Sequence, residues 1–214
     1  MEFTYIADGI DAVVIDNFYT EEQLKEIMIE LKWLTKNSIL KDERHLESAE
    51  LSGKLQTHKH GIFLETVFAN WEHSALISHG MTQLKTEEVH KNILGFNALF
   101  KTLYHCDARN HLLSYYENSG YYKSHKDHSF FTILNWFNIE PKQFEGGDMI
   151  LTSFDGTKHA NIEYRNNRVL ILAGCTPHEV TEIKSKLENK FSGSGRYCNA
   201  AFLGLRAERH ESSK

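Results

Sequence analysis

His125 and Asp127 stand two positions apart, and on a β-strand that spacing turns both side chains to one face. An imidazole and a carboxylate placed side by side can bind one metal ion, and a second imidazole from a distant strand, His178, would complete a set of three. Two His and one carboxylate that leave coordination positions open suit non-haem Fe(II) and oxygen chemistry. A closed structural zinc site asks for four protein ligands instead. Arg196 opens an apolar segment further on; if that segment is a strand, Arg196, Cys198 and Ala200 share a face, and a guanidinium beside two small side chains can pair both oxygens of a ligand carboxylate. Because the chain has 13 His, a lone H-x-D pair carries little weight. His58-Lys59-His60 is a rival pair of the same parity, which reads as surface or substrate-facing rather than as a second metal site.

The order of the surrounding segments narrows the choice. Tyr116-Glu117-Asn118-Ser119-Gly120-Tyr121-Tyr122-Lys123-Ser124 leads into His125, and Phe144-Glu145-Gly146-Gly147-Asp148, Pro177-His178-Glu179-Val180 and Gly195-Arg196-Tyr197 follow. In that order and spacing, over residues 105–207, the sequence resembles the Fe(II)/2-oxoglutarate-dependent oxygenases, and within them the prolyl 4-hydroxylase-like group. The resemblance implies Fe(II) on His125, Asp127 and His178, 2-oxoglutarate as cosubstrate with its C5 carboxylate on Arg196, O2 as oxidant and ascorbate as reductant. It implies hydroxylation of an unactivated C–H bond, with a proline-containing peptide or protein as the partner. It also puts Tyr115 or Tyr116, together with Tyr122, on the cosubstrate pocket or the substrate mouth.

Parity refines those positions. Tyr115 and Tyr116 alternate in direction, so one of them faces inward in either register. Tyr122 lies at an odd offset from His125 and would need a bend near Gly120 to share its face. Thr132, Leu134 and Trp136 share a face of the next strand and are candidates for the pocket wall, whereas Gly146 and Gly147 read as a tight turn. The interval from His178 to Arg196 is longer than the family's usual one. Lys184 to Gly195 therefore reads as an enlarged hairpin loop, in which Lys186 and Lys190 are alternative anchors. Two other functions fit the same residues: a non-catalytic β-sandwich module that binds a metal and a small acid, and an oxygenase acting on a free amino acid or a nucleobase.

The elements that must position these groups are α+β in class. Ala12–Asp16 reads as a strand, and Thr20-Glu21-Glu22-Gln23 carries a capping box that starts a helix with Leu24, Ile27, Met28, Leu31 and Leu34 on one face. Residues 37–57 are polar and read as a surface excursion. From Thr86, Val89, Ile93, Phe96, Leu99, Phe100 and Leu103 recur at helical spacing and predict a second long helix. Strands are expected at 111–116, 121–126, 130–138, 148–153, 168–172, 178–183 and 196–204. Seven short strands suggest a sandwich or jelly roll, and the resemblance implies a double-stranded β-helix with N-terminal supporting helices. The expected organisation is one domain: mainly helical support over 1–104, the β-helix over 105–207 and a tail over 208–214.

Composition bounds the partners. The chain has 214 residues, 41% of them hydrophobic and 25% charged, with 2 Pro and a net charge of −5. That is a folded globular composition, and no block of Lys or Arg suggests nucleic-acid binding. Three Cys without CxxC spacing read as reduced thiols. No secretory signal and no membrane-length apolar run is visible, so a cytoplasmic protein is expected. Oligomeric state is not determined by any of these features.

Overall fold

The computed structural model describes residues 1–7, 9–42, 50–51, 54–186 and 190–205. The first half contains β1 (Glu2–Ile6), β2 (Ala12–Asp16), α1 (Glu21–Lys36), β3 (Lys41–Asp42), β4 (Glu50–Leu51), β5 (Lys54–Leu55), β6 (Thr57–His58), β7 (His60–Phe63), α2 (Ala75–Leu84) and α3 (Glu87–Phe96). The second half contains β8 (Cys106–Tyr116), β9 (Tyr121–His125), β10 (Phe131–Phe137), β11 (Phe144–Glu145), β12 (Met149–Thr152), β13 (His159–Ile162), β14 (Arg168–Ala173), β15 (His178–Val180), β16 (Lys184–Ser185) and β17 (Arg196–Leu205). The strands form an eight-stranded sheet in the order β1-β2-β14-β10-β17-β8-β7-β3 and a five-stranded sheet in the order β13-β12-β15-β9-β6. Two short antiparallel pairs, β4-β5 and β11-β16, complete the set.

Period-two alternation along the central strands builds two cores from one sheet. On β10, Phe131, Ile133 and Phe137 point to the side where Ile27, Leu31 and Leu34 of α1, Leu76 and Ile77 of α2, and Val89 and Ile93 of α3 are buried. Leu134 and Trp136 point the other way, into a second core shared with Met149 and Leu151 of β12, Val180 of β15 and Tyr122 of β9. The helices therefore back the large sheet, and the space between the two sheets is the interior of a double-stranded β-helix. Each fully buried Leu, Ile or Phe contributes roughly 1.5–3 kcal/mol.

Helix α1 starts where its capping box predicts: the Gln23 N–H donates to Thr20 Oγ1 at 3.3 Å, and the Thr20 N–H donates to Gln23 Oε1 at 3.0 Å. The second helix differs from expectation. It ends at Phe96, and Asn97 takes an extended backbone and accepts from the Phe100 N–H at 3.0 Å, which starts a separate 3₁₀ segment over Phe100–His105. Apolar spacing continued across the break because both segments cover the same sheet. Helix α2, β1 and β13 were not visible as periodic patterns. The strand expected over 178–183 stops at Val180, and the one expected from 111 begins at Cys106. Part of the 37–57 excursion is strand, since β3 pairs with β7 and β6 with β9; residues 43–49, 52 and 53, like the 208–214 tail, lie outside the described residues. Among the described residues no helix is long and apolar enough to cross a membrane.

Candidate active site

Antiparallel pairing of β9 with β15 sets His125 directly opposite His178, with ring centroids 4.2 Å apart. Asp127 lies beyond the end of β9 rather than on it. Its N–H donates to the Gly174 carbonyl at 2.9 Å, and its carboxylate turns back to the imidazoles. Asp127 Oδ1 stands 3.8 Å from His125 Nε2, and Oδ2 stands 3.6 Å from His178 Nε2. One ligand atom from each of the three lies within 4.8 Å of the others, and among the described residues no other His, Cys, Asp and Glu group does this. His58 and His60 instead face the Ser119 carbonyl at 3.0 Å and the Glu117 carboxylate at 3.5 Å. His128 is exposed.

The hydrogen bonds behind the three side chains select their metal-binding form. His125 Nδ1 is 2.8 Å from the Lys123 carbonyl, and His178 Nδ1 is 2.9 Å from the Thr176 carbonyl. A carbonyl can only accept, so each Nδ1 carries a proton and each Nε2 is turned to the site. Burial, reinforced by the neighbouring His178 imidazole, pulls His125 down to about 3, so that ring is neutral as a ligand must be. The Thr132 hydroxyl donates to Asp127 Oδ2 at 2.6 Å and lies 2.8 Å from the Ser129 hydroxyl. Thr132 is thus an orienting group for the carboxylate, beyond its place on the pocket wall.

Tyr122 reaches this face by a route that differs from the expected bend. His178 pairs with His125, but Val180 pairs with Tyr122, so two steps on β15 match three on β9. That β-bulge shifts parity by one residue, and the Tyr122 ring stacks on His125 at 3.6 Å and 15°. The bend is the bulge between Tyr122 and His125, not Gly120.

Arg196 lies in the same interior, fully buried. The register of β17 with β8 matches Arg196 with Tyr116, Cys198 with Ser114 and Ala200 with Leu112. Tyr116 is therefore the inward tyrosine, 5.0 Å from the guanidinium carbon, and Trp136 and Tyr164 flank that carbon at 5.2 Å each. Tyr115 faces the helix-side core, and its hydroxyl accepts from the Gly193 and Gly195 N–H groups at 3.0 and 3.2 Å. It secures the loop that launches β17 and lines a cavity with His60 and Glu117, on the far side of β8 from the arginine. Lys186 and Lys190 are exposed, which leaves Arg196 as the buried cation of this segment.

Arg196 donates from Nε to the Gly147 carbonyl at 2.9 Å, while Nη1 and Nη2 are buried with no partner, as is Trp136 Nε1. Buried donors without acceptors are costly, and most so on a charge. This set of donors fits a ligand carboxylate, just as two imidazoles and a carboxylate fit Fe(II). Gly147 was read as a turn residue, but it does more. At φ 78 it is in the left-handed region, and a Cβ there would come within 2.8 Å of Arg196 Cδ. Lys59, between the two histidines of the rival pair, has no role in the sequence reading. Its parity, opposite to His58 and His60, sends it inward, where it is 4% exposed. Burial pulls its ammonium down to about 8, with Cys198 and Asp127 opposing that shift and Arg196 adding to it.

No protein-family model and no curated protein matches the sequence. Solved structures do. The chain is similar to a prolyl-4-hydroxylase from Pseudomonas putida, with a TM-score of 0.61 at 14% identity over 92% of this chain and 93% of that one. It is similar to a Trichoplax adhaerens prolyl hydroxylase in complex with a peptide fragment of the hypoxia inducible factor oxygen degradation domain, with a TM-score of 0.63 at 16% identity over 95% and 87%. It is also similar to an oxidoreductase of the 2OG-Fe(II) oxygenase family from Burkholderia pseudomallei, with a TM-score of 0.57 at 12% identity over 90% and 84%. At such identities the shared property is the fold, the double-stranded β-helix of prolyl hydroxylases and other 2-oxoglutarate oxygenases.

Proposed function

We propose that this protein is an Fe(II)/2-oxoglutarate-dependent dioxygenase that hydroxylates an unactivated C–H bond, with a prolyl residue in a peptide or protein as substrate. The observation that carries the class is the pairing, inside one β-helix, of an open His125-Asp127-His178 ligand group with a buried Arg196 whose Nη1 and Nη2 lack acceptors. A module that bound metal alone would need the first feature and not the second; one that bound a metal and a small acid would need both, and turnover separates it from the oxygenase. The prolyl substrate is supported by the likeness to two prolyl hydroxylases, one of them solved with a peptide. Ascorbate as reductant and a cytoplasmic setting belong to the same proposal, the latter supported by free Cys106, Cys175 and Cys198.

Nε2 of His125, Nε2 of His178 and a carboxylate oxygen of Asp127 would hold Fe(II), with coordination positions left over for the 2-oxo acid and O2. Bound there, Fe(II) would supply the chemistry by which O2 and 2-oxoglutarate give succinate, CO2 and one oxygen atom inserted into the substrate C–H bond. The chain's own part is positional. Thr132 and the Gly174 carbonyl hold Asp127 in place, and the Lys123 and Thr176 carbonyls keep protons on the Nδ1 atoms. Arg196, held by Gly147, would take the C5 carboxylate with both Nη groups. Tyr116, Trp136 and Tyr164 wall the guanidinium from water, which strengthens that pairing.

The test is succinate release from 2-oxoglutarate with Fe(II), paired with mass spectrometry of proline-containing peptides for a single added oxygen. Turnover is expected in the wild type and lost in His178→Ala. Equal turnover in the variant would end the proposal.

A further inference from the structure

Lys59 is the only buried lysine among the described residues. It is the single residue between β6, which pairs with β9 in the small sheet, and β7, which pairs with β8 in the large one. The chain thus crosses from one sheet to the other at this position, and the side chain enters the space between them. Its Nζ lies 4.4 Å from the centre of the Tyr122 ring and 5.9 Å from that of Tyr116. Tyr122 is stacked on His125, and Tyr116 stands 5.0 Å from the Arg196 guanidinium. The ammonium is therefore placed along the line of rings that joins the metal ligands to the buried arginine, the line a 2-oxo acid must follow.

No hydrogen bond or ion pair to Lys59 is present among the described residues; its Nζ faces the two aromatic rings, with Cys198, Asp127 and Arg196 near enough to act on its charge. Cation–π contact holds an ammonium in an empty chamber but replaces only part of its lost hydration. The carboxylate nearest in function, Asp127, is already engaged by Thr132 and turned to the imidazoles. A divalent metal and two cationic side chains against one carboxylate leave the chamber strongly positive. A dianionic ligand offsets that charge better than a monoanion.

We propose that Lys59 is a second cationic anchor for the 2-oxo acid, binding a carboxylate of the dianion together with Arg196 and so selecting 2-oxodicarboxylates over 2-oxomonocarboxylates. The inference rests on the dioxygenase reading. The four-carbon stem and three rotatable donors of lysine let Nζ leave the tyrosine faces for a carboxylate without a change of backbone.

Calorimetry of 2-oxoglutarate and of 2-oxobutanoate binding to Mn(II)-loaded protein tests this without turnover. Lys59→Met and Lys59→Gln are expected to bind Mn(II) as the wild type does and to bind 2-oxoglutarate about tenfold or more weakly. The wild-type preference for 2-oxoglutarate over 2-oxobutanoate is expected to shrink in both. Melting of the metal-free proteins separates anchoring from packing. Removing an unpaired buried charge should leave Lys59→Met at least as stable as the wild type, whereas a purely structural lysine would give a less stable variant. Unchanged 2-oxoglutarate affinity in either folded variant overturns the inference. A wild type that binds Mn(II) but not 2-oxoglutarate overturns the dioxygenase reading itself, a separate result.

Discussion

Asp127 has no strand to hold it, so its orientation depends on two hydrogen bonds, from its own N–H to Gly174 and from the Thr132 hydroxyl to Oδ2. Removing such an outer partner typically weakens metal binding about 10–100-fold. Thr132→Val keeps the shape of the side chain and deletes only the donor. It is therefore expected to lower metal affinity by a factor in that range in competition with a chromophoric chelator, with little loss of fold stability; an unchanged affinity would mean that Gly174 alone suffices. At this scale the candidate ligands are legible in the sequence, because their residue types and spacing point to metal chemistry. Thr132 as a donor, Gly147 as a seat for Arg196 and Lys59 as an inward cation were not legible. Each depends on which atoms meet across strands, and parity within one segment does not contain that information.

Elements decide what parity leaves open. The pairing of β17 with β8 makes Tyr116 the partner of Arg196 and turns Tyr115 to the helix side. A bulge in β9 against β15 brings Tyr122 onto the His125 face despite its odd offset. Register arises from contacts between strands far apart in the chain, and neither strand specifies it alone. The turn before β12 carries a prediction at this scale. Gly147 combines a positive φ with a carbonyl on Arg196 Nε, and an added Cβ would press on Arg196 Cδ and Ile183. Gly147→Ala should cost roughly 1–2 kcal/mol from the left-handed backbone alone. It should also lower 2-oxoglutarate affinity far more than Mn(II) affinity, as urea unfolding and calorimetry would read; equal losses for both ligands would place the damage outside the arginine seat.

Across the whole molecule, the candidate metal-binding group and the buried arginine lie between two sheets, and His125, Asp127 and His178 gather at one end of the pairing of β9 with β15. A ligand held there binds only the folded chain and so stabilises it by mass action, about 2.7 kcal/mol at a hundredfold excess over its dissociation constant. For a chain of this size that corresponds to a rise in Tm of roughly 5–10 °C. Mn(II) and 2-oxoglutarate together are expected to give such a shift in a thermal melt, and EDTA to remove it. Stabilisation by Zn(II) alone, with nothing added by 2-oxoglutarate, would favour a binding module over an oxygenase.

The amino-acid order by itself determined the α+β class, the capped first helix and most of the central strands, and it singled out the four candidate site residues that the fold gathers, because periodicity, capping and donor chemistry act within short stretches of chain. It also carried the resemblance that named the β-helix. Only tertiary structure decided where the second helix stops, which tyrosine faces the arginine, how Tyr122 gains its face, and that Lys59 shares the interior with Arg196 and Asp127. Those are outcomes of register, bulges and sheet crossing, which follow from the burial of two cores at once and exist only when distant strands are in contact.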